Sequence, residues 1–135
     1  MIEKHKALVI DIDGTLCDIK APGASYAEVA PEPQMVARVR ALHAAGWRII
    51  LHSSRGMRSN DGNPGQINKT VAPVLLDWLD RHAIPYDEVH LGKPWPGSDG
   101  FYIDDRSVRP REFLENDMAA LAALCARDRL AGDGT

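Results

Sequence analysis

Short apolar runs alternate along this chain with segments whose apolar residues have helical spacing, and this alternation constrains the fold more than any other feature. Residues 6–12 (KALVIDI) and 47–52 (WRIILH) are short, β-branched runs bounded by polar or glycine-containing turns. Runs of this kind are typical of buried strands. Two shorter runs, residues 88–91 and 101–103, predict a third and a fourth strand.

Three segments between and after these runs carry apolar residues at helical spacing: residues 32–45, 67–82 and 111–127. Strands that alternate with helices indicate an open, mostly parallel, Rossmann-like α/β sheet flanked by helices. Residues 92–100 are too few for a helical crossover, which usually needs about a dozen residues or more. We therefore expect an extended link there.

Bulk properties narrow the class of protein. A length of 135 residues predicts one domain over residues 1–135, without a cap domain. Residues 17–33 lack a sustained apolar period and are expected to form an irregular flap, and residues 129–135 a frayed tail. A net charge of −3 offers no global attraction to nucleic acid or anionic membrane. Two cysteines and no membrane-length apolar run favour a cytoplasmic protein without a disulfide framework.

Two acidic pairs follow predicted strands. Asp11 and Asp13 are two residues apart, so the pleat of a strand directs both carboxylates to one face. Asp104 and Asp105 follow the fourth apolar run, and ligands gather at the carboxyl ends of parallel strands. Because close carboxylates repel each other, four of them at one edge favour a bound cation, and Mg²⁺ suits an all-oxygen site.

Donors for phosphoryl oxygens follow the other strands. Ser53 and Ser54 end the second strand, and Arg55 and Arg58 come directly after it. Hydroxyl, amide and guanidinium groups bind phosphate oxygens well. A further cation is Lys93, and the turn residues after Asp13 complete the expected phosphate-binding set, namely Gly14 and Thr15.

Four of these segments occur in a familiar order: DIDGTL, the serine of LHSSR, the lysine of GKP and the acidic pair of YIDDR. They resemble the four motifs of the haloacid dehalogenase (HAD) phosphatase superfamily. Residues 55–113, with GNPGQIN, LGKPWPGSDGFYIDDR and RPREF, also resemble capless HAD proteins of bacterial capsular polysaccharide biosynthesis. Together with the first motif, the resemblance covers most of the chain.

The resemblance implies a role for each motif. Asp11 would be the nucleophile that forms an aspartyl-phosphate, and Asp13 the acid that protonates the leaving group and then activates water. Ser53, where threonine is common in the family, would bind the phosphoryl group together with Lys93.

The resemblance also implies the metal site and the strand order. Mg²⁺ would be held by the Asp11 carboxylate, the Asp13 backbone carbonyl and Asp104, with Asp105 either a ligand or a support for one. The fourth strand would lie beside the first.

The expected function is hydrolysis of a phosphomonoester, with a sugar phosphate or glycan precursor as the substrate class implied by the resemblance. Because no cap is expected, either the substrate is bulky, or the site is closed by the flap with residues 56–66 or by a second subunit. A homo-oligomer is therefore one expected state. One alternative is a nucleotide or polynucleotide 3′-phosphatase, although the acidic charge disfavours nucleic acid. Another is a non-catalytic subunit that binds a biosynthetic enzyme.

Overall fold

The sheet of this protein is parallel and open. The computed structural model describes residues 5–130. Its strands β1 (Ala7–Ile10), β2 (Arg48–His52) and β3 (Glu88–His90) lie in the order β1-β2-β3, and both neighbouring pairs are parallel. The open α/β fold class and the first three predicted strands are therefore confirmed.

Helix α1 (Pro33–Ala44) follows β1 in the chain and is followed by β2. The Glu32 side chain accepts a hydrogen bond from the Gln34 N–H, and Pro33 in the first turn has no N–H to leave unpaired. Apolar residues of the helix are buried at Met35, Val36 and Val39. The predicted helix over residues 32–45 is confirmed within one residue at each end.

The segment between β2 and β3 contains two helices, α2 (Pro64–Thr70) and α3 (Ala72–Arg81). The prediction of one continuous helix over 67–82 is wrong. Pro73 lies in the first turn of α3, where it has no N–H to donate to the preceding turn, and Asn63 caps a separate start for α2. The break at Val71 therefore follows from Pro73, whereas Asn63 accounts for the start of α2 before residue 67.

Residues up to Trp95 form one compact unit, which contains the sheet and α1–α3, and residues from Pro96 onward form a second. The second unit contains α4 (Pro110–Glu115) and α5 (Met118–Asp128). The prediction of one helix over 111–127 is wrong, because Asp117 caps α5 by accepting from the Ala120 N–H at 2.8 Å. A single domain over residues 1–135 stays a prediction.

The predicted fourth strand over residues 101–103 is absent from the described part of the chain. Phe101, Tyr102 and Ile103 are irregular and have exposed fractions of 78%, 51% and 92%. A strand needs a neighbouring strand to pair its backbone N–H and C=O groups, and so short a run gains little from burial alone. The three-stranded sheet of the described residues accordingly has no fourth strand beside β1.

The flap over residues 17–33 is mostly irregular, as predicted, with a one-turn 3₁₀ helix at Tyr26–Glu28. Two side chains of α3 attach it to the core. The Trp78 indole N–H donates to the Val29 carbonyl at 2.7 Å, and Arg81 Nη2 donates to the Ala27 carbonyl at 2.6 Å. The flap is therefore positioned by α3.

Within residues 5–130, no helix is both long and apolar enough to cross a membrane. Of the predicted frayed tail, residues 129–130 follow the end of α5 and are exposed. Residues 131–135 of that tail lie outside the described residues.

Candidate active site

A tight turn after β1 carries the first acidic pair. The Ile12 carbonyl accepts from the N–H groups of Thr15 and Leu16 at 3.1 and 2.9 Å, and Gly14 adopts φ +85°. Glycine enters this left-handed region without a side-chain clash. The Ile12 side chain is fully buried, whereas the carboxylates of Asp11 and Asp13 are partly exposed. The predicted shared direction of the two carboxylates agrees with this burial pattern.

The end of β2 places Ser53 between two other segments. Its N–H donates to the His90 carbonyl at 2.9 Å, and its carbonyl accepts from the Lys93 N–H at 3.1 Å. Its hydroxyl oxygen accepts from the Arg55 N–H at 3.0 Å, and only 1% of the residue is exposed. Ser53 therefore fixes the backbones that carry both expected cations, Arg55 and Lys93.

Lys93 lies next to Asp11. Its Nζ is 3.6 Å from Asp11 Oδ1, and the Thr15 hydroxyl donates to Asp11 Oδ2 at 3.4 Å. The lysine also lowers the pKa of His52, although burial is the larger cause of that shift. The structure thus brings together Asp11, Thr15, Ser53 and Lys93, which the sequence predicted as one site.

Arg55 pairs with Asp13. Its Nε donates to Asp13 Oδ2 at 3.1 Å and its Nη2 donates to Oδ1 at 2.8 Å, while only 3% of the Arg55 side chain is exposed. The guanidinium lies 4.1 Å from the centre of the Tyr26 ring. Substrate binding by Arg55 stays a prediction, and the structure gives this side chain a carboxylate partner. Arg58 instead lies 5.6 Å from the Trp95 ring.

Two residues near Asp13 were missed by the sequence reasoning. Cys17 Sγ is 3.7 Å from Asp13 Oδ1, and burial together with the Asp13 charge raises the pKa of this thiol to about 12. Burial, followed by the Asp13 charge, also raises the pKa of Tyr26. A signal for Tyr26 was available, because it is the only aromatic residue of the flap.

The second acidic pair lies in the second unit. Asp104 and Asp105 are exposed, and Asp104 accepts from the Arg106 N–H at 3.0 Å. This backbone hydrogen bond is the largest cause of a lowered Asp104 pKa. Among residues 5–130, no three Asp, Glu, His or Cys side chains form a group that could hold a metal ion. The predicted meeting of these two residues with Asp11 and Asp13 stays a prediction.

The oxygen donors after β1 still suit Mg²⁺. This ion is often held by only one or two carboxylates and completes its shell with water and substrate phosphate. Asp11 is 38% exposed at its side chain, which leaves its carboxylate accessible. The remaining predicted residue, Ser54, is half-buried, and its carbonyl accepts from the Met57 N–H at 3.0 Å.

Comparison with known proteins gives a relative that matches 92% of the chain. No family model and no curated protein matches it. A D,D-heptose 1,7-bisphosphate phosphatase from B. bronchiseptica, crystallised with magnesium and phosphate, is 17% identical with a TM-score of 0.47. It matches over 71% of this chain and 54% of its own, a likeness too low to carry an argument.

A protein from Vibrio cholerae with a known crystal structure is 40% identical to this chain. The match covers 92% of this chain and 99% of that one, with a TM-score of 0.86. This chain therefore belongs to the same family as the Vibrio cholerae protein.

Proposed function

We propose that this protein is a HAD-type, Mg²⁺-dependent phosphomonoester hydrolase that acts through an aspartyl-phosphate on Asp11. The carrying observation is the turn after β1, where Asp11 contacts Lys93 and Asp13 contacts Arg55. A partly exposed carboxylate beside a lysine is suited to receive a phosphoryl group, because the cation offsets the charge of the phosphate. The four motifs give the same assignment from the sequence.

The reaction has two steps. In the first, an Asp11 oxygen bonds to phosphorus while the bond from phosphorus to the leaving oxygen breaks, and Asp13 gives that oxygen a proton. In the second, a water oxygen attacks the aspartyl-phosphate, Asp13 takes a proton from the water, and phosphate leaves with Asp11 regenerated. Lys93 and the Ser53 hydroxyl bind phosphoryl oxygens.

The Asp11 carboxylate and the Asp13 carbonyl would hold Mg²⁺, which would neutralise charge on the phosphoryl oxygens. Asp104 and Asp105 remain proposed members of this metal site.

A sugar phosphate or related glycan precursor is the proposed substrate class. It rests on the resemblance of residues 55–113 to capsule-biosynthesis proteins. A homo-oligomer remains part of the proposal.

The test is phosphate release from sugar phosphates, nucleotides and para-nitrophenyl phosphate, with Mg²⁺ or with EDTA. We expect Mg²⁺-dependent release that falls about 10³-fold or more in Asp11→Asn, because the amide cannot act as the nucleophile. Asp18→Asn is the matched control, since Asp18 is exposed on the flap. Release that survives in Asp11→Asn would refute the mechanism, and no release from any substrate would favour a non-catalytic subunit.

A further inference from the structure

We propose that Arg55 is a positioning residue, which holds the Asp13 carboxylate at the angle and distance needed to protonate the leaving group. The inference rests on the proposed function. It concerns a contact between two side chains of the first unit, in which the Arg55 guanidinium donates to both Asp13 oxygens, at 3.1 and 2.8 Å.

The geometry of the pair restricts Asp13 strongly. A planar guanidinium that donates two nearly parallel hydrogen bonds to a carboxylate fixes the rotation of that carboxylate as well as its position. A lysine at the same place would supply charge without the second fixed direction. The Asp13 side chain is 25% exposed, so it remains accessible to a substrate while it is held.

Arg55 is itself held from several directions. Its backbone N–H donates to the Ser53 hydroxyl at 3.0 Å, and its guanidinium lies 4.1 Å from the centre of the Tyr26 ring. Tyr26 belongs to the flap that Trp78 and Arg81 attach to α3. The orientation of Asp13 therefore depends on β2, on the flap and on α3.

Stability alone accounts poorly for this arrangement. Burying an ion pair costs desolvation free energy that its attraction often fails to recover. Arg55 Nη1 is buried, and among residues 5–130 no hydrogen-bond partner for it is present. An unpaired buried donor adds a further cost. Because both features are unfavourable to stability, their presence beside the expected acid is consistent with a role of Arg55 in the reaction.

A positioning role makes a different kinetic prediction from substrate binding. A misplaced acid slows the departure of a poor leaving group, such as an alkoxide, far more than that of a nitrophenolate, which leaves without a proton. Loss of a phosphate-binding arginine would instead lower kcat/KM by a similar factor for both kinds of substrate. The two roles are therefore separable with two substrates.

The experiment compares glycerol phosphate with para-nitrophenyl phosphate in wild type, Arg55→Lys and Arg55→Ala, with Mg²⁺ present. We compare kcat/KM, which reports the steps up to departure of the leaving group and excludes the later attack of water, in which Asp13 also takes part. For glycerol phosphate it should fall about 100-fold, the loss typical of a slightly misplaced catalytic group. For para-nitrophenyl phosphate it should fall less than about 10-fold. Added methylguanidinium should restore part of the glycerol phosphate activity of Arg55→Ala.

The control is Arg40→Met, which removes a different arginine, whose guanidinium donates to the backbone carbonyls of His82 and Ala83. It should leave kcat/KM for both substrates unchanged. Equal losses of kcat/KM on both substrates would overturn the positioning role. If Arg55→Ala fails to fold, Arg55→Lys carries the same comparison. A wild type that releases phosphate from neither substrate nor from the sugar phosphates and nucleotides of the wider panel would instead refute the proposed function.

Discussion

Replacing Gly56 by alanine tests how tightly the loop after β2 packs against the helices that follow it. Gly56 has φ +82°, and a Cβ atom there would lie 2.6 Å from Val71 Cγ2 and 3.2 Å from Asn60 Nδ2. The first distance is well inside van der Waals contact. Because Val71 joins α2 to α3, either that junction or the loop that carries Arg55 must move.

The magnitude has two parts. A non-glycine residue in the left-handed region costs about 1–2 kcal/mol, and forcing a methyl group into a packed site costs about 1–3 kcal/mol. We therefore expect Gly56→Ala to lower the free energy of unfolding by about 2–5 kcal/mol. Gly46→Ala isolates the first part, because Gly46 has φ +102° and nothing lies within 4 Å of its added Cβ.

Urea unfolding followed by tryptophan fluorescence is a suitable assay. The three tryptophans, Trp47, Trp78 and Trp95, all lie in the first unit, so the signal reports the unit that contains Gly56. The midpoint should shift more in Gly56→Ala than in Gly46→Ala, with similar slopes in both. If the two variants lose the same free energy, the clash with Val71 is not real and the reasoning fails.

Three further predictions concern the surroundings of the site. Trp78→Phe removes the donor to the Val29 carbonyl and should cost about 1–3 kcal/mol by urea unfolding followed by circular dichroism; a change within error would mean that water replaces this bond freely. The pKa of Cys17 is raised to about 12, so this thiol should resist iodoacetamide at pH 8.5 in EDTA, whereas the half-buried Cys125 should react. Equal labelling of the two cysteines would contradict a buried, neutral Cys17. Because the unfolded chain loses this proton near pH 9 and the folded chain only near 12, stability should fall as pH rises between these values, less so in Cys17→Ser.

The sheet could be predicted because its strands carry their own signals. The runs that became β1 and β2 are β-branched, and both end in polar residues, so burial and local propensity agree. Helix α1 has a capping glutamate before it and Gly46 shortly after it. Where local and tertiary preferences coincide in this way, the pattern was sufficient to place the element.

The errors occurred where local signals conflict or are too weak. Pro73 in the first turn of α3 and the cap at Asp117 mark new helices inside segments whose apolar spacing predicts continuity. Residues 101–103 are apolar, yet three residues form a strand only where another segment pairs with them. That condition depends on the rest of the molecule and cannot be taken from the run itself.

The site was predicted in its residues more fully than in its contacts. Asp11 and Lys93 were expected together, and they lie 3.6 Å apart. The partner of Asp13 was not expected, because the Arg55 side chain is directed by a loop conformation that follows from Ser53 and Gly56. Spacing along the chain shows which groups reach a strand end, but the pairing among them depends on how each loop turns.

The backbone bonds at Ser53 bear on how this scaffold could be re-engineered. Because Ser53 bonds to both His90 and Lys93, the lysine is located by the ends of two neighbouring strands, and no helix is needed behind it. A redesign that changes the side chains around the site but keeps these two backbone bonds should therefore leave the ammonium group beside Asp11.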